Sequence, residues 1–327
     1  IGGGCDNCIT GNCSFVGGGR LNDVLSACST IAGGYNNSLS GLVTTIAGGR
    51  DNCITSAGNC SFVGGGYINK IENIFSTIGG GCSNCIQDRY SVIAGGEDNC
   101  TNSDYWYNVI GGGCTNTITG TESGYNTIGG GRDNSLSGTQ SSYQTIAGGC
   151  SNKVTDKAGT VGGGRGNCVC GEAGTIGGGL SNIICNAEDY ATIGGGRNHI
   201  VDGDCSTIAG GAYNCITANV AVIAGGTKNT GSGACGFIGG GCGNTVTDEL
   251  SVIGGGKANC VTSGSSVIGG GCSNFVSGQR SFIGSGTNND ICNTCGAFIG
   301  GGCTNVISGS VTSTNHVIAG GSNNEIV

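Results

Sequence analysis

The sequence predicts an all-β protein, a parallel β-solenoid of about 21 coils with a 15-residue period. Three observations predict it. Gly supplies 74 of the 327 residues, and Pro is absent. An aliphatic residue followed by a glycine turn recurs from Ile1 to Ile318, and 13 of the 20 intervals are 15 residues, the others running from 16 to 19. Around each of these anchors the same chemistry returns at the same offsets, as in STIAGGYNNSLSG (29–41) and SVIGGGCSNFVSG (266–278).

Each column has a physical reading. The residue before the anchor is Thr, Val or Phe in every copy that has one. β-Branched and aromatic residues favour a strand. The third residue after the anchor is Gly in all 21 copies, and the second is Gly in all but one, Ser285. This pair reads as a sharp bend that side chains would block. The sixth residue is Asn, with His199 the single exception. The eighth is Ile, Val or Leu except at Thr101 and Gly231, and marks a second short strand. A looser loop, where most length variation falls, closes the coil.

A unit this small cannot bury its own apolar face, but a stack of such units can. At about 4.8 Å per coil the stack is expected to be a rod on the order of 100 Å long. In it the Asn column, exemplified by Asn7, Asn22, Asn37, Asn52, Asn84, Asn244 and Asn274, lines up as an amide ladder. The alternative is that Asn serves only as a turn residue of left-handed backbone. No helical period or linker interrupts the pattern, so residues 1–327 read as one repeat domain. The chain opens and closes inside repeats, which suggests a segment of a longer fibre.

The first strand is apolar or small on both faces: the anchor and the small residue two before it share one face, and the residues three before, one before and one after the anchor share the other. A strand apolar on both faces is normally buried on both. One face closes the interior; the other is expected to pack against further copies of the chain. The second strand is one-sided and faces solvent.

Composition excludes several classes. There is no G-X-Y period, so collagen is excluded. Net charge is −8 with no basic stripe, which disfavours nucleic acid. No run of about 18 apolar residues could span a membrane. Two His and few, scattered acidic residues leave no Ser–His–Asp logic and no paired carboxylates, so the chain reads as a non-enzyme. No cofactor is implied, and the turns lack the Asp of calcium-binding rolls.

These repeats resemble the heads of trimeric autotransporter adhesins (YadA-like), and equally the repeat arrays of phage and large-virus tail fibres. The resemblance covers the whole chain. It implies a left-handed β-roll, three chains side by side, and attachment to surfaces from an extracellular or virion-surface location. Two features depart from it: the family's usual coil is nearer 14 residues, and its heads are poor in Cys.

The 23 cysteines fall in columns. C-x-x-C pairs such as Cys5–Cys8 lie too far apart along the rod to make a four-ligand zinc site, so no metal is expected. Consecutive copies allow two candidate disulfides, Cys13–Cys28 and Cys85–Cys100. The remaining thiols read as small buried hydrophobes.

The candidate ligand contacts are Tyr105, Trp106 and Tyr107, in an insertion that holds the only Trp. Such aromatics could stack on a sugar or anchor a protein. Phe75, Tyr90, Tyr107, Tyr125 and Tyr143, all three before an anchor, read equally well as a packing stack. The function expected is a structural and adhesive fibre whose partners are itself, as a homotrimer, and a surface glycan or protein. The alternatives are a glycan-degrading viral tail spike and an ice-binding solenoid. Against the latter, Val and Phe interrupt the Thr column: Thr30 and Thr45 are consecutive, but Thr77 has no Thr after it.

Overall fold

The computed structural model describes residues 1–327 except 104–105, 122–123, 139–142, 186–189 and 311–313. The described residues form 41 short strands and no helix. They divide into two compact units, Ile1–Asn167 and Cys168–Val327. Each is a β-solenoid built from the same coil.

A coil has a leading strand that ends on the anchor, such as Thr30–Ile31 or Val267–Ile268. The glycine bend follows, then a trailing strand such as Ser38–Leu39 or Phe275–Val276. Like pairs with like in parallel. In the first unit Ile31 faces Ile46 and Leu39 faces Ile54. In the second, Ile268 faces Ile283 and Val276 faces Ile291. Two parallel sheets result. A third line of pairing, not expected from the sequence, runs through single residues four after the anchor, for example Cys82 to Glu97 and Lys257 to Cys272.

The strands are this short because left-handed residues interrupt them. The residue five after the anchor and the residue three before it both take positive φ, as at Ser273 (54°) and Arg280 (53°). This corrects the expected alternation. The residue three before the anchor is not on the leading strand but at a corner, where it points its side chain outward. The Cys residues there, Cys13, Cys28, Cys60, Cys205 and Cys235, are exposed, and none of the 23 Cys is buried. The reading of these thiols as core residues is overturned for that reason.

The interior is thin and regular. Anchors and trailing-strand aliphatics, such as Ile31, Leu39, Ile253 and Val261, are fully buried. The Asn six after the anchor is buried with them. Asn274 shows the pattern. Its backbone N–H and its Nδ2 donate to Asn259 Oδ1 at 3.0 and 3.1 Å. Nδ2 also donates to the carbonyls of Gly270 (2.9 Å) and Gly286 (3.0 Å). The same bonds recur at Asn22, Asn37, Asn52 and Asn84, with Asn7 accepting from Asn22 and Asn244 donating to Asn229. Each amide thereby satisfies the next Asn's backbone N–H and the first-glycine carbonyl, and shares the second-glycine carbonyl with a backbone N–H such as that of Cys272. The left-handed residue is the one before this Asn, not the Asn itself.

A second polar ladder runs two residues before the anchor. There Ser61 Oγ accepts from the Ser76 backbone N–H at 3.0 Å, and Ser206 Oγ from that of Ala221 at 3.0 Å.

The bend separates its two glycines. Gly271 has φ 92°, and a Cβ there would lie 2.1 Å from the Gly286 carbonyl oxygen and 2.7 Å from Asn274 Nδ2. Gly270 has open space around it. In this coil only the second glycine is required, and open space of this kind at the first place is consistent with Ser285 standing there.

Candidate functional site

The outward side of the leading strand carries the residue before each anchor. In the second unit Thr175, Thr192 and Thr207 stand in register. From Val222 the column turns apolar and stays so through Phe237, Val252, Val267, Phe282, Phe298 and Val317. Phe237 is 39% exposed and Val317 60%. Phe282 and Phe298 stack with ring centroids 5.4 Å apart. The residue after each of these anchors is Gly or Ala, so no large side chain stands beside the column. In the first unit Thr127, Thr145 and Thr160 form another run in register. These runs stand in the same anchor column in the sequence, where the Thr30–Thr45 pair and the break after Thr77 were weighed instead.

The second feature is the corner of the first unit where the repeat lengthens. Phe75, Tyr90, Tyr107, Tyr125 and Tyr143 stack in sequence with centroids 5.0 to 5.3 Å apart. Their common left-handed backbone sets the rings one coil above the last, within 9–27° of parallel. Trp106 leans on this stack, 5.7 Å from Tyr90 and edge-on to Tyr107 at 6.3 Å. Trp106 and Tyr107 remain 44% and 41% exposed. Tyr105 lies outside the described residues.

Beside Trp106 is a groove of about 660 Å3. Asn73, Gln87, Asp88, Arg89, Asn102 and Ser103 line it with Trp106. Gln87 Nε2 donates to Glu72 Oε2 at 2.7 Å, which fixes that amide. Asp88 is buried. Thr101 Oγ1 donates to it at 2.7 Å, Ser103 Oγ at 3.2 Å and Asn108 Nδ2 at 2.7 Å. Burial still raises the Asp88 pKa, outweighing the bonds from Thr101, Asn108, Ser91 and Ser103.

This polar cluster accounts for a departure in the sequence. Thr101 replaces the aliphatic of the trailing strand because its hydroxyl must reach Asp88. Asn108, the first of three successive amides two before the anchor with Asn126 and Gln144, also donates to Asp88. The signal was present as an exception to the columns, but it carries meaning only once Asp88, Thr101 and Asn108 are seen to meet. Sequence reasoning singled out Trp106 as a candidate contact and did not foresee the groove.

The cysteines of the two candidate bridges, Cys13–Cys28 and Cys85–Cys100, stand as free thiols. Side chains of in-register parallel neighbours point the same way rather than at one another. Cys85 and Cys100 nevertheless touch: the hydrogen bond between them raises the Cys85 pKa, helped by burial, and lowers that of Cys100. Among the described residues no group of three or more His, Cys, Asp or Glu could hold a metal ion, and no helix is long and apolar enough to cross a membrane.

The chain matches no protein-family model and no curated protein.

Proposed function

We propose that this chain is a segment of a structural, adhesive fibre in which several copies pack along the outward face of the leading strands. The observation that carries this is the unbroken column from Val222 to Val317, apolar and partly exposed. A contiguous apolar surface of that kind marks an interaction site in a protein that must stay dispersed. A second copy supplies the matching surface, since its coils repeat at the same spacing. The resemblance to YadA-like heads favours three copies and attachment at an extracellular or virion surface. The proposal includes no catalysis. Asp88 is the one carboxylate among the described residues that line the groove, and glycoside hydrolysis takes a pair at a set separation. Placing Asp at 237, 282 and 298 (Phe237→Asp, Phe282→Asp, Phe298→Asp) puts charges on the face and leaves the core untouched. Sedimentation should then change from an oligomer to a monomer with an unchanged β spectrum. An oligomer that survives all three substitutions would refute this face as the interface.

The Thr runs favour a second reading, binding to ice by a flat Thr-bearing sheet. Thermal hysteresis, abolished by Thr192→Tyr, would support it; freezing indistinguishable from a buffer control would exclude it.

A further inference from the structure

We propose that the groove beside Trp106 is a binding site for an acidic oligosaccharide. The proposal does not rest on self-association, because it concerns a different surface, the corner after the trailing strand. The volume, about 660 Å3, lies within the range of small-ligand sites, roughly 300–1,000 Å3. The lining is polar, which disfavours a lipid or another apolar ligand. Its chemistry suits a sugar. An exposed indole offers a π face to the C–H face of a pyranose ring. The Asn102 amide, beside Asn73 and Gln87 whose amides are held by bonds within the protein, presents a donor and an acceptor together, the pattern that pairs with vicinal hydroxyls. Arg89, exposed and in no ion pair among the described residues, offers its planar fork to a sugar carboxylate.

Two further observations indicate that the corner is built for a ligand. Trp106 is held by two rings of the aromatic stack, so its indole is oriented before any ligand arrives. The solenoid also gives up an aliphatic core position, at Thr101, to hold a buried carboxylate at the groove. A buried charge of this kind is costly to stability, and departures from an otherwise consistent design are expected at functional sites.

Trp106 is the only tryptophan of the chain, so its fluorescence reports on this corner alone. The full chain is titrated with trigalacturonate and, separately, with uncharged maltotriose. The expected result is a saturable fluorescence change with trigalacturonate. Binding of it weakens at least about tenfold in Arg89→Ala, the worth of one lost charge-assisted pair. In Asn102→Ala it weakens by a smaller factor, and both variants keep the native mass of the parent. Maltotriose binds more weakly than trigalacturonate by a factor like that of Arg89→Ala. No saturable change up to about 10 mM of either sugar would overturn the proposal. So would binding that neither variant affects. Preference for maltotriose would overturn the acidic assignment.

Discussion

The coils around Ile268 and those around Ile93 obey the same plan to different degrees. Around Ile268 every interior column is filled as the repeat prescribes. Val261 and Val276 are fully buried, Asn274 bonds to Asn259, and Ser266 Oγ accepts from the Ser281 backbone N–H at 3.2 Å. Around Ile93 the Asn ladder continues through Asn99, but Thr101 replaces the interior aliphatic and donates to Asp88, and Asn108 keeps its ladder bonds to Ser91 and Asn126 while its Nδ2 also donates to Asp88. The backbone register is the same in both. The difference teaches that the ladders and the glycine bend fix the coil, while single interior positions can be given over to another task at a local cost.

The largest effect expected breaks the regular coil. Gly271→Ala should destabilise by about 3 kcal/mol or more, because the new methyl meets a backbone carbonyl and a ladder amide and the backbone is left-handed. Gly270→Ala, one residue away in open space, should stay within about 0.5 kcal/mol of the parent. Urea unfolding of the two variants side by side checks this, and equal losses would contradict the account of the bend.

The irregular coil should respond in the opposite sense. Thr101→Ile, Asn108→Ser and Asp88→Gly together restore the consensus and should raise stability by about 1–3 kcal/mol. Asp88→Asn alone sharpens the point through pH. A carboxyl whose folded pKa is raised destabilises the fold as pH rises from its ordinary value of about 4 through the raised one. The parent should therefore lose stability over that interval and Asp88→Asn should lose less. Parallel curves for the two would contradict the burial of a charged Asp88.

His199 is the one break in the Asn column. Its backbone N–H donates to Asn182 Oδ1, and its Nδ1 accepts from the Asn214 N–H at 3.1 Å. An accepting Nδ1 requires neutral imidazole, and burial lowers the pKa accordingly. The stabilisation is complete above about pH 6.5 and is lost as pH falls below it toward the lowered value. His199→Asn should remove this acid sensitivity and gain about 1 kcal/mol at pH 5, by thermal melts at both pH values.

The smallest effect concerns Gly231, where the trailing strand lacks its aliphatic. A Cβ there would make ordinary contacts of 3.7 Å with Ile216 and 3.9 Å with Ile223. Gly231→Ala should stabilise by about 0.5–1 kcal/mol, by filling space and stiffening the unfolded chain. A loss would mean that the interior has no room there.

Much of the fold was legible because stacking imposes one environment on every copy of a column. Twenty-one copies turn a weak local preference at Ile31 or Asn37 into a strong signal. What was not legible depends on backbone conformation within the coil. Left-handed φ at Phe75 or Cys28 cannot be read from residue type, since aromatic and β-branched residues rarely adopt it. Those side chains were therefore placed on a strand, and their Cys neighbours in the core. The groove was illegible for another reason. Asp88, Thr101 and Asn108 belong to three different columns, and only the closed coil brings them together.

The central claim is that the apolar column joins copies of this chain. Native mass by light scattering, with and without reductant, tests it most directly. The account predicts an oligomer, three times the mass of a single chain, unchanged by reductant, because the column is apolar and the thiols are free. A monomer under both conditions would contradict it.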